Sequence, residues 1–297
     1  MAEEVWMLQT KKADFKQIGA RFRIDPVTAR IIRNRGIEGE AAIDRYLNGT
    51  LDDLYDPMLL KDMERAVSIL CEAVDTGKKI RIVGDYDIDG VCSTYILLQA
   101  FERLGSDVDF EIPDRIKDGY GINESIIEQA HADGVEVILT CDNGISAFHQ
   151  VELAKKYGMT VVITDHHEVP LDGEKEKIPP ADAVIDPKQA DCPYPFPEIC
   201  GAVVAYKLVQ VLYARRGVPQ MEWLDLLEFA AIATVGDVMK LQDENRILVK
   251  YGLKKMAQTK NLGLRRLAEK NNLDLGAITA YHIGFVIGPC LNAGGRL

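Results

Sequence analysis

No apolar run in the chain approaches the roughly 20 residues needed to span a membrane. The N-terminus, MAEEVWMLQTKK, lacks the basic-then-apolar order of a secretory leader. Both absences place the expected protein in the cytoplasm, away from membranes. The six cysteines, Cys71, Cys92, Cys141, Cys192, Cys200 and Cys290, contain no C-x-x-C pair. That argues against a disulfide framework or a thiolate zinc site, and leaves small buried or half-buried thiols in a reducing compartment. There is no internal repeat and no low-complexity tract. Positive charge is also short: 35 Lys and Arg stand against 46 Asp and Glu, a net charge of −11. A broad nucleic-acid-binding face is disfavoured by that balance. Any such track is a local basic groove or lies outside this chain. What remains is a soluble globular composition, 47% hydrophobic and 27% charged over 297 residues. The length suits one large domain or two smaller ones.

The negative charge is concentrated in an informative way. Lys79–Gly90, KIRIVGDYDIDG, opens as an apolar strand and ends in Asp85, Asp87 and Asp89. Three like charges at alternate positions repel one another, and burying them unpaired costs several kcal/mol each, roughly. A cation offsets that cost. An acidic surface turn is the ordinary alternative, but two later stretches repeat the pattern. VEVILTCDNGIS (135–146) is a hydrophobic strand ending in Asp142, and TVVITDHHEV (160–169) is a third, ending in Asp165, His166 and His167. In an open parallel sheet the C-terminal strand ends share one edge, where ligands bind. Carboxylates with one or two imidazoles suit Mn²⁺ or Mg²⁺.

Strand and helix patterns alternate from residue 61 to residue 240. The expected fold class is α/β, a parallel sheet with helices on both faces. Residues 1–60 read as a small N-terminal helical part, 61–240 as the catalytic domain, and 241–297 as a helical C-terminal segment leading to an absent second domain. The helical part carries Arg21, Arg23, Arg30, Arg33 and Arg35. These can touch a phosphate backbone, although a solvated helix face is the commoner reason for such charges. Helices are expected at about 91–104, 146–157 and 223–235, and a polar loop at 171–181.

GDYDIDG, CDNGIS and TDHH, in that order, resemble the first three motifs of the DHH phosphoesterases, and TVGDVM (234–239) resembles a fourth. PDRIKDGYG (113–121) and GPCLNAGGRL (288–297) look like the RecJ-type exonucleases of that superfamily. The resemblance implies a two-ion Mn²⁺ or Mg²⁺ site on Asp87, Asp89, Asp142, His166 and Asp237, with Asp142 as the bridge. Asp85 belongs at or beside the metals. Asp165 is expected to orient a histidine ring, since a ligating imidazole usually donates its other N–H to a carboxylate or carbonyl. His167 is expected to face away from its neighbour, because adjacent side chains on extended backbone point apart. Its role is then general acid, or contact with the substrate phosphate. Asn143 and Gly144 would offer backbone N–H groups to a phosphate, as would Gly201 more weakly. Arg115 and Arg296 would clamp phosphates, the latter on a loop with Asn292.

The function these residues imply by resemblance is hydrolysis of single-stranded DNA from the 5′ end, in recombination and repair. Protein partners are not legible. A small-substrate phosphohydrolase of the same superfamily is one rival, and a non-catalytic nucleic-acid-binding module another. RecJ-type proteins carry a further conserved domain after the GRL stretch, which this chain lacks. The expectation is therefore weak strand binding and poor processivity.

Overall fold

The computed structural model describes residues 11–115 and 119–294. The chain divides into two compact units at Leu54/Tyr55. The first holds helices α1 (Phe15–Phe22), α2 (Pro26–Asn34) and α3 (Glu40–Asn48). Asp25 caps α2 by accepting from the Val27 and Thr28 amides, with Pro26 at the first helical position, where its missing N–H costs nothing. The small core of this unit is Ile32, Ile37, Ile43 and Tyr46.

In the second unit, α4 (Met63–Thr76) leads into β1 (Ile80–Val83), α5 (Ile88–Arg103) and β2 (Val108–Glu111). Then follow α6 (Glu124–Ala132), β3 (Val137–Cys141), α7 (Phe148–Lys156) and β4 (Thr160–Thr164). The segment expected to be a polar loop contains a two-residue hairpin, β5 (Leu171–Asp172) and β6 (Lys175–Glu176), turned by Gly173 at φ +65°. Strand β7 (Ala183–Ile185) precedes α8 (Gly201–Arg215). The single apolar helix expected at 223–235 is two, α9 (Gln220–Leu224) and α10 (Leu227–Gly236). The remainder of the described chain is helical, as expected: α11 (Asp243–Met256), α12 (Leu262–Lys270), a short α13 (Ala280–His282), a π-turn (Ile283–Ile287) and α14 (Gly288–Gly294). No described helix is long and apolar enough to cross a membrane.

The five longer strands form one parallel sheet in the order β2-β1-β3-β4-β7. β1, β3 and β7 are buried along their whole length, as strands covered on both faces must be. Edge strand β2 is polar and half exposed, which blunts its free edge. Val83, Ile138, Ile163 and Val184 pack into one core with Ile126, Ile127 and Val151 of α6 and α7. Helices α4, α5 and α8 contact the sheet as well. The expected α/β class with helices on both faces is what the chain forms. The strand order reverses direction between β1 and β3, which in open sheets is where ligands bind.

Helix α5 begins a turn earlier than expected. Asp87 is its N-cap, its Oδ1 accepting from the Asp89 amide at 2.9 Å and the Gly90 amide at 3.0 Å. Asp89 therefore sits inside the first helical turn rather than on a loop.

Candidate metal centre

Four segments bring acids and imidazoles to the reversal point. β1 leads to Asp85 and the capped pair Asp87 and Asp89. β3 ends in Asp142, held at φ +61°, a left-handed conformation that non-glycine residues adopt mainly where their surroundings enforce it. β4 delivers Asp165, His166 and His167. Asp237 is the C-cap of α10. Gly201 makes the close approach possible: a Cβ there would lie 2.8 Å from both Cβ and Oδ1 of Asp142.

These side chains form three overlapping groups: Asp85–Asp87–Asp142, Asp142–His166–His167, and Asp89–His166–Asp237. Within each group one donor atom per residue lies within 4.8 Å of the others. Asp142 belongs to two groups and His166 to two. His166 Nε2 is 3.1 Å from Asp142 Oδ1, 3.4 Å from Asp89 Oδ2 and 3.8 Å from Asp237 Oδ2. The main chain bends after Thr164 instead of continuing extended, so the His166 and His167 rings lie together, 4.5 Å between centroids. The expectation that they point apart fails for that reason. The ring Asp165 orients is that of His167: its Oδ1 is 2.7 Å from Nδ1 and accepts the His166 amide at 2.8 Å, while Oδ2 accepts the Ile145 amide at 2.9 Å.

Electrostatics show what is missing from this cluster. Among the described residues no Lys or Arg forms an ion pair with Asp85, Asp87, Asp89, Asp142 or Asp237. Burial, then the charges of Asp89 and Asp87, push the Asp142 carboxyl well above its ordinary value. Burial and Asp87 raise Asp85 to about 6; burial, Asp89 and Asp87 raise Asp237 to about 7. Burial lowers His166, which favours the neutral, ligand-competent imidazole. Burial also disfavours the Asp165 charge, but the His167 hydrogen bond and charge hold that carboxyl below the usual range. Asp85 Oδ2, Asp142 Oδ1 and His166 Nδ1 are buried without a hydrogen-bond partner. Carboxylates gathered around imidazoles with no Lys or Arg beside them fit a divalent cation. Two helix ends offset part of this charge: the first amides of α5 donate to Asp87, and α8 aims the Gly201 and Ala202 N–H groups at the Asp89 carboxylate, at 2.6 and 2.8 Å.

Several expected substrate contacts have other tasks. Gly201 donates to Asp89, not outward. The Asn143 amide is buried, donating to the Val83 and Cys141 carbonyls and accepting from the Ile122 amide at 3.2 Å. It ties the segment after Gly119 to the sheet, and with Gly144 it lines an adjoining cavity of about 230 Å³. Asn292 Oδ1 accepts the Ile88 amide at 2.9 Å, clamping α14 to the start of α5. Arg115 is exposed, its guanidinium 5.0 Å from the centre of the Tyr86 ring between Asp85 and Asp87. Arg296 lies outside the described residues.

Two residues escaped the sequence reading. The Tyr120 hydroxyl donates to the Asp142 carbonyl at 2.8 Å and lies 3.1–3.2 Å from both His167 ring nitrogens. A lone tyrosine between glycines gives no sequence signal of that. Asp186 ends β7, fully buried, with Oδ2 unpartnered, and is raised to about 7 by burial and by Asp165. It follows the same strand-end-acid pattern as Asp142 and could have been found by it.

Fold and site together define an α/β protein with an acid-and-imidazole pocket at the reversal point of a parallel sheet. The family model for the DHH family, N-terminal domain, matches residues 79–234, more than half of the sequence, and the chain belongs to that family. It is 37% identical over 293 residues to the single-stranded-DNA-specific exonuclease RecJ of Bacillus subtilis, covering 98% of this chain and 36% of the relative. The Escherichia coli protein of the same name is 36% identical over 285 residues, covering 92% and 48%. A crystal structure of exonuclease RecJ bound to manganese superposes with a TM-score of 0.70 at 34% identity, covering 80% of this chain and 58% of that one. RecJ from Thermus thermophilus in complex with Mn²⁺ gives 0.76 at 30% identity, covering 95% and 39%. The chain thus spans about a third to a half of the length of these curated relatives.

Proposed function

We propose that the chain carries the catalytic portion of a divalent-metal-dependent exonuclease that hydrolyses phosphodiester bonds of single-stranded DNA from the 5′ end. The observation that carries this reading is the set of buried acids converging on one sheet edge without a countercharge. Mn²⁺ or Mg²⁺, as two ions, would be held by Asp87, Asp89, Asp142, His166 and Asp237, with Asp142 common to both. Bound there, the ions supply an activated water and offset the charge of the scissile phosphate.

The chain's own residues do the rest. Asp165 holds Nδ1 of His167, and Nε2, 3.1 Å from the Tyr120 hydroxyl, would pass a proton or touch a phosphate oxygen in place of that contact. The same contact raises the His167 pKa against the effect of burial, so the ring is more often cationic near neutral pH. Tyr120, anchored on the Asp142 carbonyl, fixes the other side of that ring. Arg115 on Tyr86 meets a terminal phosphate bidentately, and the backbone of Asn143 and Gly144 lines the space beside His167. Asp85, raised to about 6 by burial and by Asp87, holds its proton to a higher pH than an ordinary carboxyl, and a cation beside it would favour the ionised form.

The test is hydrolysis of a 5′-labelled long single strand, the matching duplex and a dinucleotide, with Mn²⁺, with Mg²⁺ and with chelator. Metal-dependent release from the 5′ end of the single strand supports the reading. Cleavage of the dinucleotide with no activity on the strand moves the chain to the small-substrate phosphohydrolases. Mn²⁺ binding without cleavage of any of these makes it a binding module.

A further inference from the structure

Asn245 touches none of the acids, yet its side chain joins the two segments that hold Asp89 and Asp237. It is fully buried in the first turn of α11. Its Nδ2 donates to the Glu198 carbonyl at 2.6 Å and to the Lys240 carbonyl at 3.1 Å. Two carbonyls can be satisfied only by the two protons of an amide NH₂, so the orientation of the side chain is fixed by its partners.

Each carbonyl leads directly to the site. Glu198 lies two residues before Cys200, the N-cap of α8, and the next two amides, Gly201 and Ala202, hold the Asp89 carboxylate. Lys240 closes the short turn that starts at Asp237. That turn is strained: Val238 sits at φ +58°, which a β-branched residue rarely tolerates, and it is 86% exposed, so no packing of its own side chain enforces the conformation. Such backbone persists where its surroundings over-determine it. The carbonyl bond from Asn245 is one such restraint. An exposed Lys240–Glu198 ion pair at 3.3 Å spans the same two segments but contributes little in water.

The start of α11 is itself anchored. Glu244 is buried against Lys207 Nζ at 3.1 Å and accepts a short hydrogen bond from the Tyr194 hydroxyl. Lys207 belongs to α8 and Tyr194 to the proline-rich segment before it. Asn245 is therefore presented from a rigid platform that already grips the element carrying Gly201.

We propose that Asn245 is a positioning residue that sets the spacing of Asp89 and Asp237 around His166, and so tunes metal affinity from outside the site. This rests on the metal reading of the Asp89–His166–Asp237 group. Removing the amide frees the 237–240 turn to relax away from its left-handed residue and lets the α8 N-terminus drift from Asp89.

The experiment uses the full chain and Mn²⁺ alone as the probe. Calorimetry gives Mn²⁺ affinity and metal-free melting gives stability, for wild type, Asn245→Ala and a control, Glu228→Gln. Glu228 is buried in α10 and bonds the Thr259 hydroxyl at 2.7 Å, away from the acids. Asn245→Ala is expected to weaken Mn²⁺ binding at least tenfold, while Glu228→Gln keeps wild-type affinity whatever its melting temperature. Val238→Gly removes the strain, since glycine adopts positive φ freely, and in the double variant it is expected to restore part of the lost affinity. Mn²⁺ affinity within twofold of wild type in Asn245→Ala overturns the proposal. Should that variant fail to fold, Asn245→Ser takes its place, since a hydroxyl has only one proton for the two carbonyls, and Mn²⁺ affinity within twofold of wild type there overturns the proposal equally. Wild type that binds no Mn²⁺ sinks the metal reading itself, and that result is distinct from failure at Asn245.

Discussion

Strand β1 runs between two charged clusters of opposite design. Arg81, inside the strand, is nearly buried and donates through Nε and Nη2 to both oxygens of Asp109 on β2, at 2.7 and 2.8 Å, with a further bond to Asp133 at 2.9 Å. There the guanidinium fork meets its carboxylates and each charge has a partner. Just past the strand's other end, Asp85, Asp87 and Asp89 gather with Asp142 and Asp237, and among the described residues no Lys or Arg pairs with them; the imidazoles of His166 and His167 stand beside them instead. The first cluster is a finished ion pair that locks β1 to β2. The second is an unfinished one, and its incompleteness marks it as a binding site. Acidic residues alone do not identify a metal centre; acids that converge with imidazoles and have no Lys or Arg beside them point to one.

The sharpest way to break the comparison is Asp142→Ala. Turnover should fall by about a thousandfold or more, a loss typical of removing a group that stabilises the reacting phosphate, and the rise in melting temperature on adding Mn²⁺ should vanish. The neutral isostere Asp142→Asn should also lose metal, yet melt higher than wild type in chelator, because like-charge repulsion is relieved. Full Mn²⁺ affinity in either variant would mean the cluster has another purpose.

Next in size are the histidines. His167→Ala should lower kcat by about 10²–10⁴-fold, the usual range for a proton-transfer group, and keep Mn²⁺ affinity; His166→Ala should weaken the affinity itself. Equal metal loss in both would show that the two clustered rings share one task.

Arg81→Met tests the finished cluster. It should lower the melting temperature by several degrees and leave kcat per folded molecule unchanged. A kcat loss there would erase the distinction between the two clusters.

The clusters also separate by pH. Asp85, Asp142 and Asp237 have folded-state values above the unfolded carboxylate, so between about pH 4 and 7 the folded chain holds more protons, and metal-free stability should fall as pH rises through that window. His167, also raised, acts in the same direction near pH 7. Asp109 is lowered despite its burial, through bonds from Arg81 and Lys79, and Asp133 is lowered chiefly by Arg81. Their contribution is present above about pH 4 and is lost as pH falls below it. Melting curves from pH 3 to 8, with and without Mn²⁺, should show the upper slope disappear with metal and the lower one remain.

The smallest effect expected is at Arg115. Arg115→Ala should narrow the preference for 5′-phosphorylated over 5′-hydroxyl strands a few-fold, with little change in overall affinity. An unchanged end preference removes Arg115 from the site.

Much of this centre was legible because the acids recur at strand ends. Asp85, Asp87, Asp89, Asp142 and the Asp165–His167 run each close an apolar segment, and a parallel sheet brings such ends together. Asp237 had no pattern of its own and needed the family motif. What the sequence hid were tasks assigned by distant partners. Asn143 read as a backbone donor to phosphate and Asn292 as part of the loop carrying Arg296; nothing local showed that their side-chain amides bind the main chain of Val83, Cys141, Ile122 and Ile88. The early start of α5 was recoverable, since Asp87 two residues before Asp89 is an N-cap signal. The hairpin β5–β6 was not, because two-residue strands in a charged segment leave no periodicity.

The scattering of the donors has a consequence for biosynthesis. On a ribosome the Asp85–Asp89 segment emerges first, long before His166, and Asp237 and Asn245 later still. The Asp85–Asp87–Asp142 and Asp142–His166–His167 groups are complete in sequence once His167 has emerged, whereas the Asp89–His166–Asp237 group waits for Asp237. A site drawn from four separate segments exists only in the folded sheet, so metal binding is linked to folding and adds to the stability of the folded protein as metal concentration rises.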